Sequence, residues 1–157
     1  MQKITPFLWF DGCAEEAMNH YVSIFKNSKA GSAMRYGDAG PGPKGAVMSV
    51  TFQLDGHEFF ALNGGPQFKF TEAISLFVSC ETQQEVDYFW DRLGAGGQTN
   101  RCGWLKDKFG LSWQVVPAAL GQMLRDPDTA RATRVMKVMM TMEKLDIARL
   151  QKAYAGQ

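Results

Sequence analysis

The residue types that most readily perform chemistry are few in this chain and widely spaced. Its three cysteines, Cys13, Cys80 and Cys102, are an odd number without paired C-x-x-C spacing, so they indicate neither a disulfide framework nor a zinc motif. Arg101 beside Cys102 is a neighbour that favours a reactive thiolate, but no histidine is close in sequence to activate it. The pattern therefore favours three small, partly buried thiols over a catalytic nucleophile.

The two histidines do not form a metal motif. His20 lies within a predicted helix and His57 follows a predicted turn. His57 and Glu58 are adjacent on a strand, so their side chains face opposite sides of the sheet and do not chelate one ion together. We expect both histidines to be structural or solvated.

The segment Gly40–Gly45 matches the pattern G-x-G-x-x-G. Dinucleotide and methyl-donor sites of this pattern need a strand before it and a helix after it, so that the helix N-terminus meets the ligand. Here two prolines interrupt the pattern and strands are predicted on both sides. We interpret the segment as a mobile loop, and as a candidate lid rather than a cofactor site.

Composition excludes several classes of function. The 157 residues carry a formal net charge of +1, which gives no electrostatic reason to expect nucleic acid or an anionic membrane as a partner. No run approaches the roughly 20 apolar residues of a membrane span, and no signal peptide is recognisable at the N-terminus. The length predicts one domain over residues 1–157, and we expect it to be cytoplasmic.

An internal repeat indicates how the chain is built. The segments Phe7–Tyr21 and Ser75–Phe89 share one plan: a strand, a turn and an amphipathic helix. Two copies are too few for a solenoid. They predict a duplicated module, with a site between the two halves.

The first half is predicted to run strand, helix, three strands. Met48, Val50, Phe52 and Leu54 alternate with polar residues, as expected of a strand with one buried face. Asp55-Gly56 is a strong hairpin signal. The predicted strands cover 4–10, 33–36, 46–54 and 57–62, and the predicted helix covers 14–25.

The second half repeats that order and continues into a helical tail. Thr82 and Glu85 fit a capping box that begins a helix reaching about Leu93. Lys106-Asp107-Lys108 is interpreted as a solvated charge run in a turn. Strands are predicted at 73–79 and 111–116, with two short ones around Gly103, and the tail is predicted to break at Asp126-Pro127 and near Met142-Glu143.

The phrases ITPFLWFDGCAEEAMNHYVSIF, FFALNGGPQFKFTEAISLFVSCET and CGWLKDKFGLSWQVVP carry a family resemblance. With the order of elements, they resemble the vicinal oxygen chelate superfamily, which includes glyoxalases, bleomycin-resistance proteins and extradiol dioxygenases. Within it the chain is similar to the PhnB-like branch, often labelled 3-demethylubiquinone-9 3-methyltransferase. The resemblance implies an α+β fold with two βαβββ modules, about 1–66 and 67–117, and a helical tail, about 118–157. It also implies sheets that curve around a cavity, a divalent metal in many relatives, and a homodimer.

The metal positions implied by the resemblance are degenerate. Carried over residue by residue, they fall at Thr5 and Ala73 on the first strand of each module, and near Ala61 and at Gln114 on the fourth. Only Gln114 keeps a ligand-type side chain, and a transition-metal site needs several histidine or carboxylate donors. A metal cofactor is therefore not expected, with Gln114 as the one weak candidate ligand.

The same resemblance places an aromatic cavity with a few polar points on the strand faces that carry these positions. Its predicted ligand-binding residues are Thr5, Phe7, Trp9, Ala61, Asn63, Ser75, Phe77, Trp104 and Gln114. Phe7, Trp9 and Phe77 could instead fill a core, and Trp104 could pack on the tail.

The predicted function is binding of a small organic molecule, with catalysis left open. A ligand-sequestering protein of the resistance type is the alternative, and an interaction protein with a filled cavity is the third hypothesis. If chemistry occurs, Gln114, Asn63 and Thr5 would orient the substrate. No nucleotide-binding βαβ unit supports a methyltransferase mechanism.

A methionine-rich helix near the C-terminus has two interpretations. Methionine fills irregular gaps and suits adaptable surfaces. The helix either packs on its own domain or forms a dimer interface, with Arg131, Arg134 and Lys137 on its outer face. Its apolar residues are Val135, Met136, Val138, Met139, Met140 and Met142.

Overall fold

The computed structural model describes residues 1–157, which form two compact units, Met1–Phe70 and Thr71–Gln157. Each unit contains one four-stranded mixed sheet and one helix in the order βαβββ, and the second unit ends in three more helices. The predicted α+β class, the two βαβββ modules and the helical tail are confirmed. The single domain over 1–157 stays a prediction. None of the helices has both the length and the apolar character that crossing a membrane requires.

The first unit has its strands in the order β1-β4-β3-β2. β1 runs parallel to β4, and the other neighbours are antiparallel. Its elements are β1 Phe7–Phe10, α1 Ala14–Ile24, β2 Lys29–Arg35, β3 Val47–Leu54 and β4 His57–Asn63.

Two predicted strand boundaries in this unit are wrong. β1 begins at Phe7, so Thr5 lies before the strand. β2 is seven residues long instead of the four predicted at 33–36. Its first half, Lys-Ala-Gly-Ser, has weak strand propensity, yet it pairs with β3 because Gly31 allows close approach: a Cβ there would lie 2.3 Å from the Oγ1 of Thr51.

The predicted hairpin at Asp55-Gly56 is confirmed. Leu54 pairs directly with His57, so the turn contains two residues, and both have positive φ, 48° at Asp55 and 77° at Gly56. That is the conformation of a type I′ turn, whose twist suits antiparallel strands.

The core of the first unit lies between α1 and one face of the sheet. Val50, Phe52 and Leu54 are buried, as the alternation predicted. They lie on the same face as Leu8 and Phe10 and are covered by α1, whose buried side chains are Ala14, Ala17, Met18, Tyr21 and Ile24. The opposite sheet face has no helix of its own unit against it.

The second unit repeats this arrangement in the order β5-β8-β7-β6, again with parallel first and fourth strands. The predicted capping box is confirmed in part: Thr82 Oγ1 accepts from the Glu85 backbone N–H, while the Glu85 carboxylate accepts from Glu81 instead of Thr82. The first elements of the second unit are β5 Ser75–Cys80, α2 Gln83–Gly94, β6 Gln98–Thr99, β7 Trp104–Lys106 and β8 Ser112–Pro117.

The helical tail comprises α3 Ala118–Leu124, α4 Thr129–Met139 and α5 Ile147–Ala155, with both predicted breaks confirmed. The tail packs around a core that includes Val135 and Met142, while Met136 and Met140 are exposed. The methionine-rich segment therefore contributes to its own unit, and it also leaves methionines at the surface.

Arg134 does not lie free on the outer face of α4. Its guanidinium donates to the carbonyl oxygens of Ala153 (2.9 Å) and Tyr154 (3.0 Å), in the last turn of α5. The last carbonyls of a helix lack partners within it, so this arginine ties α4 to the end of α5.

Asn63 connects the sheet of the first unit to its helix. Its side-chain oxygen accepts from the backbone N–H of Ala14, the first residue of α1, and its amide nitrogen donates to the Val47 carbonyl on β3, at 2.9 and 3.0 Å. The N-cap residue Cys13 makes no side-chain cap of its own. Asn63 therefore supplies the capping oxygen from a distant strand.

We predict that Asn63→Ala destabilises the protein by about 1–3 kcal/mol, because a half-buried donor and acceptor lose their partner. Urea denaturation followed by circular dichroism measures the change. Asn19→Ala, the same substitution at an exposed position on α1, is the control and should change stability by less than about 0.5 kcal/mol. Equal effects of the two substitutions would contradict the capping role.

Candidate functional site

The face of the second sheet away from α2 carries the candidate site. Two rows of side chains cross this face in register. One row joins Ser75, Ser112 and Lys106, and the next joins Phe77, Gln114 and Trp104. Residues two apart on a strand share a face and lie about 7 Å apart. A row of hydroxyls and an ammonium group thus lies beside a row in which two aromatic rings flank an amide.

Gln114 is held in place within this face. Its Nε2 donates to the Ser75 hydroxyl at 2.9 Å, and both side chains are half-buried. Phe77, its neighbour on β5, is 60% exposed. Ser75, Phe77, Trp104 and Gln114 were all predicted from sequence, and the structure brings these four together.

A shallow groove of about 90 Å³ opens beside the row of hydroxyls. Most of the residues that line this groove were not predicted as site residues from the sequence. The exception is Trp104, which was predicted as a ligand-binding residue. The lining residues are Glu72, Gln98, Asn100, Trp104, Leu105, Lys106 and Ser112.

Two features of this groove have chemical consequences. Ser112 is 1% exposed, and its hydroxyl has no hydrogen-bond partner within the protein. Lys106 forms an ion pair with Glu72, and that hydrogen bond holds the pKa of the Glu72 carboxyl below its usual value. The groove therefore combines a positive charge with a buried hydroxyl.

The interpretation of Lys106-Asp107-Lys108 as a solvated charge run is wrong at its central residue. Asp107 is 2% exposed. Its carboxylate accepts from the backbone N–H groups of Phe109 (2.8 Å) and Leu111 (3.1 Å) and from the indole of Trp113 (2.8 Å). These bonds fix the turn between Lys106 and Ser112, and the D-x-F-G-L-x-W spacing was the overlooked signal.

The first sheet also has a face that α1 does not cover, which includes Phe7, Trp9, Phe60 and Leu62. Phe7 is 58% exposed. Trp9 is partly occupied by its own unit: its indole N–H donates to the Gly65 carbonyl at 2.9 Å, and its ring meets Phe68 edge-on at 4.9 Å. This face combines aromatic side chains with polar ones from β3, since Thr51 pairs with Phe60 and Ser49 with Leu62.

Ala61 and Asn63 were expected on the same face as Phe7 and Trp9, and that expectation is wrong. Ala61 pairs with Leu8 and Asn63 with Phe10, so both belong to the face that α1 covers. Ala61 is fully buried, and the Asn63 amide caps α1. The error arose because the fourth-strand position had been located to within one residue only, and a shift of one residue reverses the face.

The register also corrects the implied metal position. Trp9 pairs with Leu62 as Phe77 pairs with Gln114, so Leu62 is the counterpart of Gln114. Thr5 and Ala73 both precede their strands. The implied positions thus offer one amide and one hydroxyl, and no three His, Cys, Asp or Glu side chains lie together as metal ligands. These residues do not fit a divalent transition metal.

The segment Gly40–Gly45 lies between β2 and β3, so it lacks the helix that a dinucleotide or methyl-donor fingerprint requires. The ring of Tyr36 lies where side chains at Gly40 and Gly42 would be, and its hydroxyl donates to the Asn63 carbonyl at 2.7 Å. This loop is built around Tyr36.

The three cysteines form no disulfide with one another, and they differ in environment. Cys80 is fully buried under α2, whereas Cys13 and Cys102 are half-buried. Burial, with Glu85 as the next contribution, raises the pKa of the Cys80 thiol to about 12.

Comparison with known proteins shows the family. The family model for 3-demethylubiquinone-9 3-methyltransferase matches residues 2–116. The chain belongs to this family, the PhnB-like branch of the vicinal oxygen chelate superfamily. The PhnB protein of Bacillus cereus is similar to it, with 43% identity, a TM-score of 0.69, and coverage of 74% of this chain and 100% of that one.

More distant structures share the fold alone. The protein PA1353 of Pseudomonas aeruginosa is 20% identical, with a TM-score of 0.61 and coverage of 74% of this chain and 98% of that one. The fosfomycin resistance protein FosX of Listeria monocytogenes is 13% identical, with a TM-score of 0.51 and coverage of 78% and 97%. A comparison with curated proteins gave no significant match.

We predict that Cys80 resists thiol reagents in the folded protein. At pH 8 this thiol is almost wholly protonated and is shielded from solvent, so Ellman's reagent should label Cys13 and Cys102 first and Cys80 only after unfolding. The Cys80→Ala variant should lose only the labelling that follows unfolding. Fast labelling of three thiols per chain in the native protein would contradict the burial of Cys80.

The same shift gives a pH dependence of stability. The folded pKa of Cys80 lies above the ~8.5 of an unfolded cysteine. The contribution of Cys80 to the stability of the fold is therefore fully present below about pH 8.5. It is lost as the pH rises towards 12, because the thiol ionises more readily in the unfolded chain.

Proposed function

We propose that the open face of the second sheet binds a small organic molecule with a planar apolar part. The observation that carries the proposal is the row of Phe77, Gln114 and Trp104, in which an oriented amide lies between two aromatic side chains. Ligand sites combine apolar walls with a few placed polar groups in this way. The 60% exposure of Phe77 supports the proposal, because a ligand that covers this ring removes apolar surface from water.

The amide of Gln114 would set the orientation of the ligand. Its nitrogen is already bonded to Ser75, so its oxygen is the group directed by that bond. A side chain fixed before binding loses little further rotamer freedom on binding, which favours affinity. The Asn63 amide caps α1, so its oxygen is not free for this role.

Catalysis and sequestration remain alternative uses of such a face. If the protein is an enzyme, Gln114→Ala should lower turnover and leave ligand affinity nearly unchanged, because the amide acts in the transition state. If it is a sequestering protein of the resistance type, the same substitution should lower affinity. FosX is named as a resistance protein, which agrees with the second alternative. At 13% identity, its similarity to this chain supports a shared fold and nothing more.

Cinnamamide, a neutral planar probe, tests the proposal. We expect saturation-transfer NMR to detect its binding, and Phe77→Ala to weaken the binding about tenfold through loss of apolar contact. Tyr88→Ala, which removes a partly exposed ring from α2 of the same unit, is the control and should have no effect. Equal binding to both variants would place the ligand elsewhere and overturn the proposal.

We also propose a homodimer, as the family resemblance implies. On the first unit, Phe7 and Phe68 are exposed by 58% and 62%, and apolar surface of this kind is what subunit interfaces cover. Light scattering coupled to size exclusion measures the mass. A monomer at millimolar concentration would contradict this part of the proposal.

A further inference from the structure

The groove beside the candidate site contains a hydroxyl that the protein does not satisfy. Ser112 is 1% exposed, and its Oγ has no partner within the chain. A buried hydroxyl without a hydrogen bond is unfavourable, and most buried polar groups find a partner. Ser112 can donate one hydrogen bond, so a ligand oxygen in the groove would satisfy it.

A positive charge faces the same groove. Lys106 pairs with Ser112 across β7 and β8, so the two side chains lie side by side on the open face. Its ammonium group is held by Glu72, whose side chain is 57% exposed. A surface ion pair of this kind is weak, so a bound anion can replace Glu72 without a large loss.

Glu72 indicates what kind of group the groove accepts. Its carboxylate is bonded to Lys106 at the rim of a groove whose volume, about 90 Å³, admits a carboxylate but not a whole organic ligand. The remainder of a ligand would extend along the strands to Phe77 and Trp104, about 7 Å away in the next row.

From these observations we infer that the ligand is a small organic anion with a conjugated planar body. Its carboxylate-class group takes the place of Glu72 beside Lys106 and accepts the Ser112 hydroxyl, while its planar part lies against Trp104 and Phe77. The inference rests on the proposed function, since it assigns a chemical class to the ligand of the same face. It adds three residues to the site, Glu72, Lys106 and Ser112.

The test compares cinnamate with cinnamamide, which share the planar body and differ in charge. We expect cinnamate to bind at least tenfold more tightly, because charge-assisted hydrogen bonds are about twice as strong as neutral ones. Lys106→Met should abolish that preference and leave cinnamamide binding unchanged. Lys137→Met, which removes an exposed charge from α4 of the same unit, is the matched control.

Two further variants test the groups beside Lys106. Glu72→Gln should strengthen cinnamate binding several-fold by removing the competing carboxylate, whereas the exposed control Glu81→Gln should not. Ser112→Ala should weaken cinnamate binding without lowering the Tm, since no internal hydrogen bond is lost. A lower Tm would show that the hydroxyl is satisfied within the protein and would count against the inference.

The outcomes separate this inference from the proposed function. If both probes bind equally and Phe77→Ala weakens both, the open face binds ligands but has no anion site, and the inference is wrong. If neither probe binds, or if Phe77→Ala affects neither, the proposed function fails and the inference fails with it. A cinnamate preference that survives Lys106→Met would overturn the inference alone.

Discussion

Each sheet of this protein has one helix to cover it, and a helix buries only one of the two sheet faces. The alternation of side chains along the strands then decides the rest. Leu8, Phe10, Val50 and their neighbours form a core under α1, and Trp113 and Val115 do so under α2. The opposite face of each sheet is not covered by that helix, although the tail buries Val116 at one end of this face of the second sheet. Because those faces carry aromatic residues, we infer that covering them is part of the function.

Buried polar side chains fix the geometry on which the open faces depend. Asn63 joins β4 to the first turn of α1, and Asp107 shapes the turn that presents Lys106 and Ser112. The polar side chains of both residues are hydrogen-bonded inside their units, so both act as positioning residues. Ser112 differs from them because its hydroxyl has no internal partner. In the second unit, Asp107 therefore belongs to the scaffold, and Ser112 belongs to the candidate site.

Much of the fold followed from pattern and resemblance, because periodicity, the Asp55-Gly56 turn and the Thr82 cap are local signals. β2 was underestimated since its first half depends on a glycine contact with Thr51 that no local pattern reveals. Site prediction failed where register mattered: Ala61 and Asn63 lie one residue from the open face. The groove residues were missed because Glu72 and Lys106 look like ordinary surface charges until the fold pairs them.

The tryptophans of this protein report directly on whether the open face of the second sheet binds a ligand. Trp104 lies on that face, whereas Trp90 and Trp113 are buried on the side of α2 and Trp9 belongs to the first unit. A proton–nitrogen NMR titration with cinnamate resolves their indole N–H signals. We predict a saturable shift at Trp104 that exceeds those of the other three. Saturable shifts at Trp9 with none at Trp104 would contradict it.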